Sequence, residues 1–454
     1  MMSVINLLKK TFLTPNEPSE DYDDVQVEAF NIKYRVMVIE FSETIDSSSG
    51  EILAAMLREH KNLDVSYFNE PFNKSFLSLE GRSFFDFIDK GQAILDKTNM
   101  DVLIWGYREG DKIRLNFQTP TQYEKDNTSF LSLLDSLYLP ASIFDNVNDF
   151  PQAVLNLIIG TIVTVAPLGD KQHIIQQKYL LKRIIDQLSH NDSAKIMPLD
   201  YLPYIMNFLS VIYMTYCRTS QDEKDFKVVN RLLGTAISHQ DLIKDVVHLG
   251  CIYTHFGQLH TLASQTNTNH ALKHFKAAIA NYQLAQKYIG KYVYPYNYGF
   301  ISYELSNLLY DYWRQNEDIQ ALRDAVFNLR EAEKIFTYAA FPEFWAEIEG
   351  LLGQRMNVLS SSVNNNAIAE LAIAAYKNQQ KIITEKRDPF HWATIQENIG
   401  NIYYRLGKQM QDNTLLEESL EYFHDALYIF ENMDLNDNTK RVTTHIAKTS
   451  DLLS

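Results

Sequence analysis

The side chains of this 454-residue chain best suited to chemistry are a group of histidines and one cysteine. His248, Cys251 and His255 fall three and four residues apart, which places them on one face of a helix; His260 follows, and then His270 and His274, again four apart. Imidazole nitrogen and thiolate are ligands that zinc accepts. No carboxylate falls at a matching spacing, so the reading is no metal site, with His248, Cys251 and His255 as the weak candidates. Adjacent carboxylates such as Glu417-Glu418 read as a solvated helix surface. No GxxxxGK[ST] and no GxGxxG after a strand is present to cradle phosphate. No GxSxG occurs, and neither Cys217 nor Cys251 has a CxxC neighbour, so nucleophilic catalysis has no local signature. The expectation is a protein that is not an enzyme and carries no cofactor.

The elements that must position these residues repeat. Pro295–Tyr298–Ile301–Leu305, Pro342–Trp345–Ile348–Leu352 and Pro389–Trp392–Ile395–Ile399 align without a gap at a step of 47 (342 − 295 and 389 − 342). A second set keeps the step: Ala278, Ala325, Ala372 and Ser419 form one column, Ile279, Val326, Ile373 and Leu420 the next, then Ala285, Ala332, Gln379 and Ala426, and finally Tyr288, Ile335, Ile382 and Ile429. A fixed period of roughly 20–50 residues marks stacked units rather than one globular core. In each unit a first helix starts near a proline, whose missing N–H costs nothing in the first turn, and Asp388 can cap the clearest case. Small residues at Ser306, Gly353 and Gly400 let a second helix approach closely. The residues exceeding a short helical unit are expected between the helices, over Gln411 to Leu415, and at the helix ends. Val246–Ala263 with His270–Lys287 reads as one more unit, and Tyr201–Arg218 with Asp225–Ser238 as a degenerate one.

Upstream the pattern differs. Residues 1–29 form a flexible acidic segment, in which 14–29 are weakly hydrophobic and read as a tether and the part before them carries Val4, Ile5, Leu8 and Phe12 on helical spacing. Residues 30–167 read β-α-β-α-β-β followed by more helix. Tyr34–Phe41 and Leu63–Asn69 are strand runs, Ile52–His60 and Phe84–Lys97 are helical, and Asp101–Tyr107 pairs with Lys112–Gln118 through a turn containing Gly110-Asp111. In the second strand of that hairpin Ile113, Leu115 and Phe117 are expected inward, Arg114 and Asn116 outward. Residues 168–240 follow as degenerate helical repeats, 241–438 as the array proper and 439–454 as a capping helix.

Composition narrows the class. Hydrophobic residues at 46% and charged residues at 22% are ordinary for a folded protein, and 16 glycines with 12 prolines suit a mainly helical chain with short connections. The net charge of −15 and the lack of any long basic run argue against nucleic acid. Two cysteines on separate helices exclude a disulfide framework and favour a reducing, cytoplasmic setting. The longest apolar stretch, Ala153–Ala166, is shorter than the roughly 20 residues a membrane-spanning helix needs, and it reads as buried helix or strand.

The run Trp392–Ile399-Gly400–Tyr403–Gly407, with Ser419–Phe423–Ala426-Leu427, resembles the tetratricopeptide repeat, although 47 residues exceed that family's unit. Residues 34–118 resemble a TolB-like module, through the opening run RVMVIEF, the helix around Glu51–Glu59, and Leu103–Gly106 paired with Asp111–Leu115. Together these resemblances imply a bacterial chain with an α+β N-terminal domain followed by an all-α, right-handed superhelical array. They imply a scaffold that binds a protein or peptide in a concave groove. The groove candidates on the first helices are Asn297, Glu304, Glu349, Arg355, Gln396, Asn398 and Tyr404. The alternatives are a membrane-surface or envelope-assembly factor acting through the TolB-like module, and an enzyme with its site at the junction of the α+β domain and the array.

Overall fold

A computed structural model of the chain describes residues 33–42, 48–71, 82–120, 130–145, 150–167, 176–184, 198–220, 222–266 and 270–454. The expected segment at 1–29 lies outside the described residues. The chain divides into two compact units, the first ending at Asn297 and the second running from Tyr298 to Ser454.

The first unit opens with β1 (Tyr34–Ile39), α1 (Ser49–Arg58), β2 (Leu63–Phe68), α2 (Arg82–Thr98), β3 (Val102–Glu109) and β4 (Lys112–Gln118), the expected order. A short fifth strand, β5 (Leu137–Pro140), was not legible and completes a mixed sheet of order β2-β1-β3-β4-β5. β1 is almost wholly apolar and lies between two parallel neighbours, as a strand covered on both faces should. Glu109 faces Lys112 across the β3–β4 turn, and Gly110 takes a φ of +60° there, open to glycine at no steric cost. One expectation fails at β4. Asn116 is fully buried, not outward, because residues 133–136 cover that face and supply acceptors to its Nδ2 at Leu133 O, Asp135 O and Ser136 Oγ.

Helices follow: α3 (Gln152–Val165), a short helical stretch at 176–184, α4 (Leu202–Ser220), α5 (Glu223–Ser238), α6 (Val247–Thr266) and α7 (Ala271–Tyr288). The apolar run at 153–166 is therefore a helix, buried over nearly its whole length. The core does not stop at residue 167. One cluster runs from Tyr34 through the strands, α3, α4 and α5 to Leu259 and Ala263 of α6.

The second unit is helical throughout. It comprises most of α8 (Pro295–Asn316), then α9 (Ile319–Glu333), α10 (Pro342–Ser362), α11 (Asn366–Gln379), α12 (Pro389–Met410), α13 (Asn413–Asn432) and α14 (Asn436–Leu453). The three prolines open first helices as expected, and Asp388 accepts from the His391 N–H. The Ala278, Ala325, Ala372 and Ser419 column has no exposure at all. An added Cβ on Gly353 would meet the Tyr376 ring at 2.8 Å, and one on Gly400 the Phe423 ring at 2.8 Å, so both helix crossings need glycine. Gly257 meets Tyr282 in the same way at 2.7 Å. That pair is 25 residues apart where the other two are 23 apart (282 − 257 against 376 − 353 and 423 − 400). A serine hydroxyl also bonds the facing backbone: Ser306 Oγ of α8 donates to Ala325 O of α9, and Ser419 Oγ of α13 to Gly400 O of α12.

The connections correct the expected placement of the extra residues. Only Gln411 and Asp412 separate α12 from α13, so the longer unit resides in long helices and in the links between pairs, such as residues 380–388. The turns inside pairs are themselves a repeat. Glu317, Asn364 and Gln411 are left-handed, with φ of 54°, 51° and 56°. Asp318, Asn365 and Asp412 follow as N-caps whose side chains accept from the first free N–H groups of α9, α11 and α13. α14 buries only Val442 and Thr449 and keeps a polar outer face.

Candidate functional site

The seven groove candidates lie in α8, α10 and α12. Four are buried: Asn297, Glu349, Arg355 and Gln396. Glu304, Asn398 and Tyr404 are half-buried. Asn297 Oδ1 has no hydrogen-bond partner. Arg355 reaches from α10 to α8, where it donates to Ser306 Oγ and, at 2.5 Å, to Asn307 Oδ1, with the Tyr310 ring 5.2 Å from its guanidinium carbon. Burial lowers its pKa to about 10, which leaves it charged. Burial, with the Glu347 carboxylate beside it, raises Glu304 to about 7. Burial, with Glu333 beside it, raises Glu349 likewise to about 7. Gln396 accepts from Gln380 and donates to Asp425, each at 2.7 Å. Tyr404 packs on the cluster of Ala393, Phe423, Phe430 and Val442.

Between successive first helices runs a ladder that the sequence reading missed. Tyr303 Oη donates to Glu347 at 2.6 Å. Arg405 donates to Asn357 at 3.1 Å and to Ser360 at 2.7 Å. Arg441 of α14 grips Glu397 of α12 with two bonds of 2.6 and 2.7 Å. The separation of these partners, 44 to 48 residues, is near the repeat length and is the signal that could have found them. The ladder leaves half-exposed Tyr303, Tyr310, Asn357, Asn398, Tyr404 and Arg405 along the first helices.

The histidine group lies in the first unit, on and beside α6. His255 is buried with Asp135 Oδ2 at 3.4 Å and Phe130 O at 3.2 Å from Nε2, and Asn207 Oδ1 at 2.7 Å from Nδ1. Asn207 donates its Nδ2 to Asp135 Oδ1 at 2.9 Å, which fixes its oxygen toward the imidazole. Both ring nitrogens thus face oxygen atoms, from Asn207 on one side and from Asp135 and Phe130 on the other. Burial pushes the Asp135 pKa up, but His255, the Ser132 N–H and Asn207 together hold it below its usual value. His248 stands edge-on to Tyr138 and Tyr204, and burial lowers it to about 4. Burial, then Asp135, drives the Cys251 thiol well above its usual pKa, so it is no thiolate nucleophile. Nearby His260 and His274 face each other, Nδ1 to Nδ1, at 3.1 Å. Among the described residues no group of three or more His, Cys, Asp or Glu could hold a metal ion, and no helix is long and apolar enough to cross a membrane.

No protein-family model matches the chain, and a search of curated proteins finds no match.

Proposed function

We propose that the chain is a non-enzymatic scaffold whose helix pairs are of the tetratricopeptide type, and that it binds a peptide or protein along the first helices of the array. The carrying observation is the polar and aromatic strip on α8, α10 and α12. Its residues stay half-exposed while the glycine, alanine and aromatic columns beneath them are buried. Tyrosine, arginine and asparagine on rigid helices are suited to recognising another chain. The net charge of −15 favours a basic partner.

The test is photo-crosslinking in the full chain, with a photoreactive residue at Tyr404 or Asn398 and, as control, at Phe327, which is 61% exposed on a second helix. A saturable partner captured from the first two positions and not from Phe327 supports the reading. No saturable product from a folded protein, or the same products from all three positions, overturns it.

A further inference from the structure

One seam of the array carries a hydrogen-bond chain that its neighbour lacks. Gln380 Nε2 donates to Gln396 Oε1, and Gln396 Nε2 donates to Asp425 Oδ2, both at 2.7 Å. One repeat earlier the same three positions are Glu333, Glu349 and Asn378 (380 − 47, 396 − 47 and 425 − 47). An amide at the central position is both donor and acceptor, and a carboxyl there matches it only as the neutral acid. Glu349 is 1% exposed, and neither of its oxygens has a hydrogen-bond partner. The charged groups facing it are Glu333 and Arg330, both from α9, while α11 contributes Asn378. Arg330 is already engaged by Glu333 at 2.6 Å, and alongside them Lys334 is engaged by Glu331 at 2.5 Å. A buried carboxylate without a cation of its own takes up a proton instead.

We propose that Glu349 is a proton-operated latch joining α9, α10 and α11. As the neutral acid it donates to Glu333 and accepts from Asn378, which restores the chain that Gln396 makes permanently one repeat later. As the carboxylate it repels Glu333 and loosens the joint. The direction of its titration agrees, since burial and Glu333 raise its pKa from 4.5 to about 7. The folded protein then holds the extra proton between these values. Its contribution to stability is complete below the lower value, is lost as pH rises through the upper one, and stays lost above it. The latch does not depend on what the array binds.

The experiment compares the full-length wild type with Glu349→Gln at about pH 5 and about pH 8, reading the urea midpoint and amide exchange in α10 and α11. The wild type is expected to lose midpoint and α10–α11 protection at the higher pH, while Glu349→Gln keeps both and exceeds the wild type there. Glu333→Gln, which removes the facing carboxylate, should also flatten the pH dependence. Equal pH dependence in wild type and Glu349→Gln overturns the proposal. So does a Glu349→Gln protein that is no more stable than wild type at the higher pH, or that fails to fold, because the next repeat accepts glutamine at this position.

Discussion

The two units solve the burial of polar groups in opposite ways. In the first, one node draws on distant elements: Asp135 collects His255 from α6, Asn207 from α4 and Ser132 from its own loop, inside a core that reaches from β1 to α6. In the second, small devices recur from unit to unit, and residues that bridge helices, such as Ser306 and Gln396, reach only neighbouring ones. The lesson is that damage should spread in the first unit and stay local in the second.

The largest expected effect tests the first half of that contrast. Asp135→Ala leaves a buried imidazole and amide facing one another and should cost roughly 3–5 kcal/mol. Amide exchange should rise together in β4, α4 and α6. A loss confined to residues 130–136 would break the comparison. Because Asp135 is held below its usual pKa, its contribution is present at neutral pH and is lost as pH falls through its folded value, so acid titration should weaken the same three elements. The second half is sharpened by Gly400→Ala. Its methyl group would press on Phe423 and should cost about 1–3 kcal/mol, with added exchange in α12 and α13 only. The smallest effect belongs to a turn. Asp412→Ala removes the cap from the Thr414 and Leu415 N–H groups and should cost about 1 kcal/mol, read as fraying of the first turn of α13.

The array was legible because its residues obey one rule many times. Ala325, Ala372 and Ser419 are small at a constant step, and Pro295, Pro342 and Pro389 mark helix starts. The capping turns were equally periodic at Asp318, Asn365 and Asp412, but apolar columns do not reveal them, and the extra residues were expected at Gln411–Leu415 and at the helix ends. The sheet was legible where strands carried long apolar runs. β5 escaped because four residues ending in Pro140 give no alternation to count. Asn116 was misplaced because alternation reports one covered face and is silent when both are covered. The groove candidates lay on the first helices as read, but the rotation that buries Glu349, Arg355 and Gln396 depends on partners in neighbouring helices, such as Gln380, Asp425 and Ser306, which a single helix pattern does not contain.

The short reach of the ladder also sets an order of events in time. Its rungs join residues 44 to 48 apart, so each can form once one further unit has been synthesised. Asp135 must wait for Asn207, 72 positions on, and Phe130 for His255, 125 positions on. Chains rich in near-sequence contacts fold faster than those that close long loops. A ribosome-bound chain would therefore complete its sheet-bearing unit late, whereas each helix pair after it would settle almost as soon as it emerged.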